Sequence, residues 1–146
     1  MIDETKTLLT DKITILITDD DSDILDVLSY GLEEFADNLI VIKANSGYQA
    51  LRSIQTQKID ILVTDIAMPD IDGYELYKRA KEIRPKLPII MMTGFGYDPN
   101  HTIVNSKKIG LKNVIFKPFE ISKLLKMIYE NLETIAHEKS KSNQFL

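Results

Sequence analysis

Five short apolar runs, each rich in β-branched residues and each followed by polar residues, constrain the fold of this chain more than any other feature. They are Ile13 to Thr18, Leu39 to Ile42, Asp60 to Thr64, Pro88 to Met92 and Val114 to Phe116. The stretches between them carry apolar residues three and four apart, the period of a helix face. Ile24, Leu25, Leu28, Leu32 and Phe35 form the first such stripe, Ala50, Leu51 and Ile54 the second, and Leu76, Ala80 and Ile83 the third. A weaker helical segment is expected within residues 100–109. The last helix is expected from about Glu120 to Ile135, with Leu124, Leu125, Ile128 and Leu132 inward. Local signals agree with these bounds. Asn45 or Ser46 and Asp72 are suited to cap helices, and Arg84-Pro85 ends one, because the residue before proline avoids helical geometry. Strands alternating with helices predict an α/β fold: a parallel sheet, helices on both faces, and right-handed crossovers.

A chain of 146 residues suits one domain with a real core. Residues 1–12 read as a polar lead-in, 13–136 as the domain, and 137–146 as a polar tail expected to fray. The chain has no cysteine, which excludes thiol catalysis and cysteine-bound zinc. Its lead-in lacks the apolar core of a signal peptide, and no run approaches the ~18–20 apolar residues of a membrane helix. A cytoplasmic location is therefore expected. The net charge of −4 excludes electrostatic nucleic-acid binding by the chain as a whole. The charge is uneven: through Glu75 there are 16 acids against 5 bases, and from Leu76 onward 6 against 13.

In an open α/β sheet, ligands bind beyond the carboxyl ends of the strands. The first strand delivers Asp19 and Asp20 there, the third Asp65, the fourth Thr93 and the fifth Lys117. Helix capping and the helix dipole account for one or two of the acids in Asp19-Asp20-Asp21-Ser22-Asp23 and leave the rest unexplained. Two carboxylates ~4 Å apart repel by about 4 kcal/mol at an effective dielectric of ~20, so converging acids need a cation or a shared proton. An oxygen-only donor set with room for water suits Mg²⁺. With Lys117 and Thr93 beside it, such a site is equipped to hold a phosphoryl group, and a carboxylate such as Asp65 can attack phosphorus to form an acyl-phosphate.

These blocks resemble the receiver domain of two-component response regulators. Ile15 to Asp21 is similar to that family's first strand and acidic pair. Asp65 to Gly73, reading Asp-Ile-Ala-Met-Pro-Asp-Ile-Asp-Gly, is similar to its phosphoacceptor strand and loop. Met92-Thr93-Gly94 and Phe116-Lys117-Pro118-Phe119 are similar to its last two blocks. The resemblance runs from about Ile13 to Asn131. It implies a flavodoxin-like (βα)5 fold with strand order 2-1-3-4-5 and a cis Lys117–Pro118 bond. It implies that Asp65 accepts a phosphoryl group from a phosphohistidine on a sensor kinase or phosphotransfer protein. Asp20, Asp65 and the backbone carbonyl of Ala67 would ligate Mg²⁺, with Asp19 acting through water, Thr93 bonding the phosphoryl group and Lys117 pairing with it. The output would be a conformational switch read on the face of the last two helical segments and the fifth strand, around Lys107, Lys108, Lys123 and Lys126. The output partner and dimerisation on phosphorylation stay open. The chain departs from the family in having Val114 where an aromatic switch residue is common. Ala67 and Phe95 would flank the phosphoryl group.

The alternative is a Mg²⁺-dependent phosphohydrolase of the haloacid-dehalogenase type, with Asp19 as nucleophile and Asp21 as acid/base. It leaves Asp65 without a role, and Asp23 stands where that motif prefers Thr or Val. A flavin or nucleotide binder of similar fold would need a Gly-rich phosphate loop after the first strand, which is missing.

Overall fold

A computed structural model describes residues 11–94 and 113–144. Five strands, β1 (Ile13–Thr18), β2 (Leu39–Ala44), β3 (Ile61–Asp65), β4 (Ile89–Thr93) and β5 (Val114–Phe116), form one sheet in the order β2-β1-β3-β4-β5. Every pairing is parallel. Four helices are described: α1 (Ser22–Phe35), α2 (Gly47–Thr56), α3 (Gly73–Ile83) and α4 (Ile121–Gln144). The expected strand order and parallel sheet are both found. The helix expected within residues 100–109, together with Phe95, Lys107 and Lys108, lies outside the described residues.

Alternation along the strands builds two cores, because successive side chains face opposite sides of a sheet. Leu16, Leu62, Met91 and Val114 point to the side covered by α2 and α3. Ile15, Ile17, Val63, Ile90 and Ile115 point to the side covered by α1 and α4. The central strands β3 and β4 are buried at every position, which is why they read as unbroken apolar runs.

The helix starts follow local chemistry. Asp21 caps α1 by accepting from the Asp23 N–H at 3.0 Å. Of the two candidates for α2, Ser46 is the cap, with its Oγ accepting from Gln49 N–H at 3.1 Å. Asp72 caps α3 by accepting from Glu75 N–H at 2.8 Å.

Three expectations are corrected. Periodicity places Phe35 and Ile83 on the inward face, but they are 55% and 38% exposed. Each is the final residue of its helix, where the stripe has run past the elements that would cover it. The polar tail expected to fray from His137 instead continues α4 to Gln144. Its glutamate and lysines are good helix formers that propagate a helix already anchored by Leu124, Ile128, Leu132 and Ala136.

Candidate phosphoryl-acceptor site

The sheet register brings the strand tips level. Thr18 lies opposite Thr64, which sets Asp19 beside Asp65. Asp65 pairs with Met92, and Thr93 pairs with Phe116, so Lys117 leaves β5 just past the end of β4. The Lys117 N–H donates to the Thr93 carbonyl at 2.7 Å, fastening the two tips together. The Lys117–Pro118 bond is cis.

Carboxylate oxygens of Asp19, Asp20 and Asp65 all lie within 4.8 Å of one another. Asp19 and Asp65 are buried and Asp20 is exposed, so the cluster has a protein side and a water side. Lys117 reaches in from the fifth tip. Its Nζ donates to Asp19 Oδ2 at 2.8 Å and stands 3.5 Å from Asp65 Oδ1. Burial alone would lower the Lys117 pKa. The hydrogen bond and charge of Asp19, with the charge of Asp65, outweigh it and hold the ammonium above its ordinary value.

Burial likewise pushes the Asp65 carboxyl up. Lys117 pulls it down and Asp19 pushes it up again, and the hydrogen bond from the Ile66 N–H does not cancel the rise. One ammonium among three carboxylates leaves an excess of negative charge in a partly desolvated place. The oxygen-only donors, with Asp20 and Ala67 facing water, fit a hard divalent cation such as Mg²⁺ that keeps some of its own waters.

The remaining expected residues fall as follows. Thr93 is buried at the end of β4, and Ala67 is exposed two residues past Asp65. Val114 is buried against the α2/α3 side of the sheet and pairs with Met91. Asp21 is exposed and committed to its cap, and its own N–H donates to Asp19 Oδ1 at 3.0 Å. The hydrolase alternative needs Asp21 as acid/base and is not supported.

Asp70, in the loop after β3, and Gly73, at the start of α3, have roles that local reading missed. Gly73 N–H donates to the Ile66 carbonyl at 2.8 Å, closing the loop. A Cβ on Gly73 would stand 2.5 Å from the Asp65 carbonyl oxygen and 2.8 Å from Ile66 Cα, so only glycine fits. Asp70, legible only as a turn residue, accepts from Gly47 N–H at 3.2 Å and Tyr48 N–H at 3.0 Å, across to the start of α2. No short-range signal marks a contact between residues more than twenty positions apart.

Comparison with known proteins agrees with this geometry. The model of the response regulator receiver domain matches residues 15–129. The chain is 30% identical over 122 residues to the transcriptional regulatory protein GlrR of Escherichia coli K12, covering 84% of this chain and 27% of that protein. It is 31% identical over 132 residues to the alkaline phosphatase synthesis transcriptional regulatory protein PhoP of Bacillus subtilis, covering 88% and 53%. It thus spans about a quarter to a half of the length of these curated relatives. Among solved structures, a CheY-like receiver domain protein of Methanospirillum hungatei superposes with a TM-score of 0.76 at 31% identity, covering 88% of this chain and 98% of that one. With the family model matched across all five strands and the strand tips meeting as they do, the chain belongs to the receiver domains of two-component response regulators.

Proposed function

We propose that Asp65 is the phosphoacceptor and that the site transfers a phosphoryl group to it from a phosphohistidine on a sensor kinase or phosphotransfer protein. The observation that carries this is the pairing of a buried carboxylate at the centre of the sheet edge with one ammonium and two further carboxylates. The Asp65 oxygen forms the new bond to phosphorus while the bond to the donor imidazole nitrogen breaks. That nitrogen keeps the electron pair and is protonated from solvent. Asp65 must attack as the carboxylate, and Lys117 favours that form against the cost of burial. Asp20, Asp65 and the Ala67 carbonyl would hold Mg²⁺, with Asp19 acting through water, and the ion would supply charge neutralisation on the transferring group.

Lys117, 3.5 Å from Asp65 Oδ1, is placed to pair with the phosphoryl oxygens once they arrive. Thr93, fastened to Lys117 through the backbone, supports the reading that its hydroxyl follows the new group. With Val114 in β5, the response travels without an aromatic rotamer at that position. The small, exposed Ala67 leaves a path for the water that later hydrolyses the acyl-phosphate. The protein thereby catalyses its own phosphorylation and dephosphorylation, and its output is a population shift read by a partner. The receiver unit comprises residues 13–136, with α4 continuing beyond it. A cytoplasmic kinase pathway fits the chain, and among the described residues no helix is long and apolar enough to cross a membrane.

The test is treatment with Mg²⁺ and a small acyl-phosphate, followed by intact-mass measurement. One labile phosphoryl group is expected on the unaltered chain and on Asp21→Asn, and none on Asp65→Asn. Steady phosphomonoester turnover that survives Asp65→Asn would overturn the assignment.

A further inference from the structure

The loop from Ile66 to Asp72 carries the Ala67 carbonyl, and its inner limb is held firmly. Ile66 N–H donates to Met92 O at 3.2 Å, Gly73 N–H closes on Ile66 O, and Asp72 caps α3. Met68 and Ile71 are buried in the core on the α2/α3 side. The outer limb, where Ala67, Pro69 and Asp70 are exposed, meets the rest of the molecule through Asp70.

The Asp70 contact is a built one. The first N–H groups of a helix lack partners within it. Ser46 satisfies Gln49 N–H, and the two Asp70 carboxylate oxygens take the preceding pair, Oδ1 from Gly47 N–H and Oδ2 from Tyr48 N–H. A carboxylate is the favoured group at this end of a helix. The backbone also runs close here. A Cβ on Gly47 would stand 2.2 Å from Ile71 Cγ1 and 3.2 Å from the Ile71 carbonyl oxygen. Burial raises the Asp70 pKa, but the N–H groups of Tyr48, Ile71 and Gly47 together hold it below its ordinary value, so the clamp stays ionised at neutral pH.

We infer that Asp70 is a positioning residue for the metal site: it clamps the β3–α3 loop to the start of α2 and so fixes where the Ala67 carbonyl points. This rests on the proposed ligand role of Ala67. Outer-shell partners that orient a metal ligand commonly alter affinity by 10–100-fold. Here the clamp acts through two intervening residues, Met68 and Pro69, so about tenfold is expected.

The chain has no tryptophan to report binding, so Mg²⁺ affinity is measured by titration calorimetry well below the melting temperature. Asp70→Ala is expected to raise the Kd for Mg²⁺ about tenfold, and Asp70→Asn, which keeps one acceptor oxygen, by less. At saturating Mg²⁺ the acyl-phosphate labelling rate should return to near that of the unaltered chain. Gly47→Ala leaves the charge unchanged but displaces the loop, and should weaken Mg²⁺ as Asp70→Ala does. A lowered melting temperature with unchanged Kd in both variants means Asp70 serves stability alone and overturns the inference. Weakening in Asp70→Ala but not Gly47→Ala reduces the effect to charge and also overturns it. The control is Asp20→Asn: if the unaltered chain binds Mg²⁺ no better than this variant, the metal-site reading fails, independently of Asp70.

Discussion

The two edges of the sheet use charge in opposite ways. At the amino-terminal edge, charged side chains meet main-chain groups. Arg84 donates to the Ile59 carbonyl at 3.1 Å and the Gln57 carbonyl at 2.5 Å. Lys81 donates to the Leu87 carbonyl at 2.6 Å, and Asp60 accepts from Thr14 N–H at 2.8 Å. Each charge there completes a turn that would otherwise leave a backbone group unsatisfied. At the carboxyl edge, beyond the acids that cap helices, charges also meet one another. Asp19, Asp20, Asp65 and Lys117 converge with more negative than positive charge. The first arrangement balances its charges locally, whereas the second keeps an excess of negative charge, and that difference separates a structural edge from one suited to a cation.

The comparison can be broken most forcefully at Lys117. Lys117→Ala leaves Asp19, only 1% exposed, facing Asp65 with no ammonium between them. A loss of about 3 kcal/mol is expected in urea denaturation, since removing one partner of a buried pair strands the other. Millimolar Mg²⁺ should restore part of it, raising the variant's melting temperature more than that of the unaltered chain. No shift in either would mean that the carboxylates do not share a cation site, and equal shifts would mean that Lys117 does not oppose the cation.

Arg84→Ala probes the other edge. It removes two charge-assisted hydrogen bonds to carbonyls and should cost about 2 kcal/mol. The labelling rate of the folded protein by acyl-phosphate should not change. A slowed rate at full folding would show that the two edges are coupled.

The smallest effect has the opposite sign. The folded-state pKa of Asp65 is raised, so the fold favours the protonated carboxyl. That contribution is fully present below the unfolded-state pKa and is lost as pH rises through the folded one. Asp65→Asn should therefore stabilise the protein by roughly 1 kcal/mol at pH 7 while abolishing labelling. The gap should close as the pH falls below the ordinary carboxylate range. A variant less stable than the parent at pH 7 would make Asp65 a structural charge.

Much of this architecture is legible in the chain because it is written locally. A strand buried on both faces must be apolar throughout, so β3 and β4 announce themselves, and each tip residue is marked by the break in its run. The site follows from topology, since parallel strands carry their ends to one edge. What stays hidden depends on neighbours. Phe35 and Ile83 keep the helical period, yet their exposure is decided by where the covering elements stop. The extension of α4 has no apolar stripe to announce it. The clamp from Asp70 to Gly47 and Tyr48 exists only once α2 and the loop after β3 are side by side.

The length of α4 has a mechanical consequence. Ala136 is the last of its side chains described as buried, and the helix runs eight residues further, to Gln144, or ~12 Å at 1.5 Å per residue. Nearer its start, Asn131 is tied to Asn113 at the foot of β5 by a reciprocal pair of amide hydrogen bonds at 3.1 Å. A stiff rod seated on the sheet through Leu124, Ile128, Leu132 and Ala136 and continuing past them is a lever arm. Any tilt at the sheet would grow in proportion to distance along the rod and be largest at Gln144.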